Sequence, residues 1–203
     1  MNKKYVPVAG IMIFIFLYVY SASLYPGGSQ ADATSAGFDW ANNYWCNLMN
    51  EKAMNGRPNG ARVYAILANL VLAATLAYFF YTAPQKLKAE GYWKKVIPYS
   101  GMSSMAFAAL LFTPYHDIVS VLSGFFGVIA LAGIFKGLID RKYKGVVLLG
   151  LGCILFIALN NIIYFSGWGL HYLPVLQKFT MIYIFFWLIK LSFALHADNT
   201  TGL

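Results

Sequence analysis

"VVLLGLGCILFIALNNIIYF", Val146–Phe165, runs from end to end without a charged side chain. A helix that crosses a bilayer needs about 20 predominantly apolar residues, since the hydrocarbon core is about 30 Å thick and each residue rises about 1.5 Å. Inside hydrocarbon every backbone N–H and C=O has to be satisfied within the chain, and a helix does this alone. This one stretch therefore predicts a membrane-spanning helix and sets the expectation for the rest.

Five more windows read the same way: Tyr5–Tyr25, Val63–Ala83, Val96–Thr113, Ile118–Phe135 and Leu173–Leu195. Their charge is limited to Lys178 and Lys190 near the two ends of the last, where a long side chain can reach the interface. Over the 203 residues, 60% are hydrophobic and only 11% charged. Soluble domains carry roughly 25% charged residues, so the composition excludes an ordinary soluble fold. The expected fold class is all-α, a polytopic bundle of six transmembrane helices, with residues 1–203 forming a single transmembrane domain. No internal repeat relates the first three spans to the last three.

The distribution of Lys and Arg orients the spans. Lys3 and Lys4 precede the first span, Lys86, Lys88, Lys94 and Lys95 follow the second, and Lys136, Arg141, Lys142 and Lys144 follow the fourth. The other side holds only Lys52, Arg57, Arg62 and Lys178. By the positive-inside rule both termini are expected to be cytoplasmic, in a bacterial inner membrane. The net charge of +8 is then accounted for by topology, with membrane lipids as partners and no nucleic acid. "MNKK" followed by "SAS" (Ser21–Ser23) has features of a signal peptide, but the apolar run is long for one, so an uncleaved span is expected. Cys46 and Cys153 form no spaced motif and no disulfide is expected between them.

This topology leaves one long outer loop, residues 26–61. It contains "GFDWANNYWCNLMNEKAMNG" (Gly37–Gly56), with five Asn and two Trp in an otherwise oily chain. Asp39 is a plausible N-cap, and Ala41, Tyr44, Trp45 and Leu48 recur at helical spacing, so a short amphipathic helix is expected here. Trp40, Tyr44 and Trp45 suit a membrane interface, where a ring is half buried and its polar atom wet. Asn is a mediocre helix former and a poor choice for a passive coat. Asp39, Asn42, Asn43 and Asn47 are therefore candidate substrate-binding residues, bonding either to other outer loops or to a ligand headgroup.

Two shorter outer loops, "TPYHD" (Thr113–Asp117) and "SGWGLHY" (Ser166–Tyr172), bring His116, Asp117 and His171 to the same face. Asn69, Ser120, Ser123, Asn160 and Asn161 lie in the outer halves of their spans, and polar groups in a bilayer bond to one another or line a cavity. An outward polar pocket is the expectation. His116, Asp117 and His171 are the candidate catalytic residues and the candidate metal ligands. Two imidazoles and a carboxylate are a common zinc ligand set with a position open for water, so a divalent metal such as zinc is the cofactor such a site would take. Without metal, a His–Asp pair can act as a general base and its orienting partner. Equally, Asp117 can simply favour a helix start, and His rings are comfortable at interfacial depth. Cys46 is either a nucleophile or a small buried residue.

The pattern "SLYPGGSQADATSAGFDWANNYWCNLMNEKAMNG", five further spans, and "HD" (His116, Asp117) opening the fourth resemble a group of bacterial membrane proteins related to the six-helix Frag/DRAM/Sfk-type superfamily. The resemblance implies six helices, cytoplasmic termini and lipid-related membrane processes. It also implies a Ser-acidic-x-Gly element in the first outer loop, where this chain instead has "CNLMN" (Cys46–Asn50). Two functions are expected from the sequence. One is hydrolysis or transfer on a lipid or other amphiphile at the outer leaflet. The other is a non-catalytic accessory or binding subunit that recruits a protein partner through the outer loop.

Overall fold

A computed structural model describes residues 5–197. It contains six α-helices: α1 (Val6–Ser23), α2 (Arg62–Lys86), α3 (Trp93–Ala108), α4 (His116–Asp140), α5 (Lys144–Ser166) and α6 (Leu173–Ala197). Extended pairing among the described residues is limited to two isolated bridges, Gly27 with Ala36 and Lys52 with Pro58. Five of the helices are long and apolar enough to cross a membrane: α1, α2, α4, α5 and the Leu170–His196 segment that spans nearly all of α6.

α3 is the exception. Its 16 residues stop at Ala108, short of the expected Thr113, and the chain continues through turns to His116. Past Ala109 the backbone bonds tighten into three-residue turns, Leu110 N–H donating to the Phe107 carbonyl at 2.9 Å and Leu111 N–H to the Ala108 carbonyl at 3.3 Å, and Pro114 keeps Thr113 from resuming a helix. Three Ser, a Gly and Pro98 also dilute its apolar character.

The chain divides into two compact units. Among the described residues, one takes in 5–12, Asn69–Leu149 and 187–197; the other takes in Ile13–Ala68 and Gly150–Phe186. In the first, α3 packs along α4 on small residues. Ser104 Oγ donates to the Ser123 carbonyl at 2.8 Å, and Gly133 and Gly101 lie where any Cβ would run into Trp93 and Ile97 or into Phe80. Close approach of backbones through small residues is a common means of packing apolar helices. Asn69 donates to the Ala108 carbonyl at 3.1 Å and so covers the open C-terminal end of α3.

In the second unit, α1 and α6 meet through aromatic rings, Phe14 lying edge-on to Phe185 with centroids 5.4 Å apart. Asn160 of α5 donates to Thr180 Oγ1 of α6 at 2.7 Å and to the Phe156 carbonyl at 2.8 Å. Asn161 donates to the Ile157 carbonyl at 2.8 Å. The helical Asn side chains expected to line a pocket are thus bonded to helix carbonyls or to a neighbouring hydroxyl.

Candidate functional site: the connection between α1 and α2

Residues 24–61 form a folded cap held by its own side chains. It opens with a turn in which Gly27 and Gly28 have φ of 129° and 82°. Gly28 N–H donates to the Ser35 carbonyl at 2.7 Å, and Ser29 N–H to the Asp32 carbonyl at 2.8 Å. Asp32 accepts from the Thr34 hydroxyl and N–H at 2.7 and 2.8 Å, which hold its carboxyl below the ordinary carboxylate range.

The expected amphipathic helix is replaced by a turn followed by a five-residue 3-10 helix, Trp45–Met49. The Asn side chains account for this, because short amides bond nearby backbone groups in competition with an α-helix. Asn43, fully buried, accepts from Asp39 N–H at 2.8 Å and donates to the Gly28 carbonyl at 2.9 Å. Asn47, also buried, accepts from Tyr44 N–H at 2.6 Å. Asn59 donates to the carbonyls of Asn47, Leu48 and Asn50 at 3.3, 3.0 and 2.9 Å. Of the four candidate binding residues in this connection, Asn43 and Asn47 thus bond the cap itself, and Asn42 donates to Asp39 at 2.8 Å.

Asp39 accepts from Ala41 N–H at 2.9 Å as well as from the Asn42 amide. The Asn42 amide is the main reason its carboxyl stays below the usual value; burial opposes this and the Ala41 and Asn42 N–H groups reinforce it. A depressed carboxyl pKa contributes stability that is present above the unfolded value, about 4, and is lost as pH falls through the folded one. Amide exchange at residues 41–43, corrected for its intrinsic pH dependence, is therefore expected to accelerate between pH 5 and pH 3. In Asp39→Asn the corrected rates should stay flat over that window; a pH response that survives the substitution assigns the effect elsewhere.

Trp45 seats the cap on the helices. Its ring stacks on Phe14 with centroids 5.8 Å apart and lies 4.4 Å from Tyr18, whose hydroxyl donates to the Trp45 carbonyl at 2.7 Å. Its backbone N–H donates to Gln177 Oε1 at 3.1 Å. Lys178, which sequence reasoning placed only as a span-end cation, donates to the Asn43 carbonyl at 2.6 Å and the Pro174 carbonyl at 2.9 Å, with its ammonium 5.7 Å from the centre of the Phe38 ring. Nothing in the sequence joins positions so far apart. The signal was there only as a Lys in an otherwise apolar helix, a costly residue that needs acceptors. Burial pushes the Cys46 thiol above its ordinary value, which keeps it protonated at neutral pH and a poor nucleophile.

His116 and Asp117 form a local pair at the start of α4, Nδ1 to Oδ1 at 3.1 Å, with side chains 45% and 89% exposed. Asp117 is the second residue of α4, two past the N-cap Tyr115, where its charge still favours the helix N-terminus. His171 is exposed in the 3-10 turn Leu170–Tyr172, its ring 3.7 Å from that of Tyr172. Among the described residues no three of His, Cys, Asp and Glu are grouped as a metal ion would require. The chain matches no protein-family model, no curated protein and no solved structure.

Proposed function

We propose that this is a multi-pass protein of a bacterial inner membrane, with six spans and cytoplasmic termini, whose 24–61 cap is a rigid, non-catalytic recognition element on the outer surface. The reading includes the resemblance to the six-helix superfamily. One observation carries it: the side chains of Asn43, Asn47, Asn55 and Asn59 turn onto the cap's own backbone, and Asn42 onto Asp39. A catalytic or headgroup site needs polar atoms left over for the ligand, whereas a surface that docks a protein needs a fixed shape. Trp40 and Met54, 48% and 37% exposed, are apolar groups that such a surface presents to a partner.

The His116–Asp117 contact favours a second reading, acid–base or metal-assisted hydrolysis of a lipid, with His171 completing the set. Two measurements separate the readings and test the topology. In a Cys46→Ser, Cys153→Ala background, Asp32→Cys is expected to react with an impermeant maleimide in intact cells, and Lys142→Cys only after permeabilisation. The reverse pattern would sink the orientation. Purified protein is expected to carry far less than one transition metal per chain. Near-stoichiometric zinc that is lost in both His116→Ala and His171→Ala would replace the recognition reading with the hydrolytic one.

A further inference from the structure

A partly open cavity of about 380 Å³ lies between the α2–α3 connection and the last two turns of α4. Its apolar lining includes Leu87, which is buried, the Trp93 ring, and Gly133. A Cβ at Gly133 would come within 2.5 Å of both Trp93 and Ile97, so the glycine is what allows the Trp93 ring this position against α4. The polar lining is Lys88, Glu90, Lys136, Asp140 and Arg141.

The charges are not equivalent. Lys136 and Asp140 satisfy each other, Nζ to Oδ2 at 2.7 Å. Arg141 donates through Nη1 to the Lys86 carbonyl at 2.7 Å, which fixes its guanidinium beside the cavity. Lys88 is exposed and makes no ion pair among the described residues. Three cations against two carboxylates leave the lining net positive, and Lys94 and Lys95 in the first turn of α3, with Lys142 and Lys144 just after α4, lie close by in sequence. The volume is near the lower end of small-ligand sites, enough for a headgroup. An apolar floor beneath a basic rim, at the ends of membrane-length helices, matches a molecule that is apolar below and anionic above.

We propose that this cavity binds the phosphate of an anionic phospholipid headgroup, with Lys88 and Arg141 meeting the phosphate and Trp93 packing against the glycerol. The proposal needs the chain to be a membrane protein, but neither its orientation nor the role of the cap. Glu90 opposes the bound anion and tunes the site. The test uses the full chain in a neutral detergent, with native mass spectrometry counting bound short-chain phosphatidylglycerol, phosphatidylcholine and glycerol 1-phosphate. One phosphatidylglycerol per chain is expected, bound more tightly than either alternative. A basic residue near an anionic lipid surface contributes about fivefold in affinity, so Lys88→Gln should weaken binding by about that factor, and Glu90→Gln should tighten it. Lys88 is exposed, so its variant keeps the fold and the comparison stays interpretable if Arg141→Gln is poorly behaved. Equal binding of the two lipids, or unchanged affinity in Lys88→Gln, overturns the site. Glycerol 1-phosphate binding as tightly as the lipid overturns the lipid as its occupant.

Discussion

Replacing Asn59 with Ala is expected to release residues 45–61 from the helices, with amide exchange there rising about 100-fold. The side chain is 8% exposed and serves two roles at once. Its amide hydrogens are shared among three carbonyls at the end of the 3-10 helix, Asn47, Leu48 and Asn50. Its Oδ1 accepts from Ala61 N–H at 3.1 Å, directly before α2. A buried carbonyl or N–H that loses its partner costs about 1–3 kcal/mol. Even with water entering, the local loss should reach about 3 kcal/mol, and about 1.4 kcal/mol corresponds to each tenfold change in an opening equilibrium. Asn59→Asp sharpens the test, because a carboxylate keeps the acceptor for Ala61 but offers no donor to the three carbonyls. It should rescue little. Unchanged exchange at 47–50 in both variants would show that the bracket contributes nothing there.

The helices were legible in the sequence because apolar length is a local property. α5 occupies Lys144–Ser166 around the expected Val146–Phe165, and α4 begins at His116 against an expected Ile118. Hydropathy overextends α3, because residues 109–112 are apolar enough to belong to a span while their backbone is already in turns. The connection between α1 and α2 was read as special for a sound reason, its density of Asn, and its internal structure was still misjudged. Helical spacing of Ala41, Tyr44, Trp45 and Leu48 describes one face, but each of Asn43 and Asn47 has a backbone N–H within reach that competes with the α-helix. The attachment of the cap was not legible. Trp45 with Gln177 and Asn43 with Lys178 pair positions more than a hundred residues apart, and only the folded chain brings them together. His116 and Asp117 were found as neighbours because they are adjacent in sequence, which is also why their contact says little about a shared site.

Gly28→Ala is expected to disrupt the same cap from its other end, and far more than Gly37→Ala does. Both residues have positive φ, 82° and 66°, so both variants incur the left-handed penalty, about 1–2 kcal/mol for an L-residue. They differ in what the added methyl meets. At Gly37 nothing lies within 4 Å of it. At Gly28 it would collide with the backbone nitrogen of Asn55 and lie 2.6 Å from the Met54 carbonyl carbon, and backbone does not move aside as a flexible side chain would. Relief requires residues 53–55 to shift, yet Asn55 is tied twice to the turn: its N–H donates to the Gly27 carbonyl at 3.2 Å and its side chain to the Pro26 carbonyl at 3.0 Å. The Gly28 carbonyl in turn holds Asn43, so a displaced turn also orphans a fully buried amide. Limited proteolysis within residues 30–55 should therefore be rapid in Gly28→Ala and close to wild type in Gly37→Ala, with the helices intact by circular dichroism in both. If the two variants are cleaved alike, left-handed strain alone governs the turn and the close approach of residues 54–55 to Gly28 is not what requires a glycine.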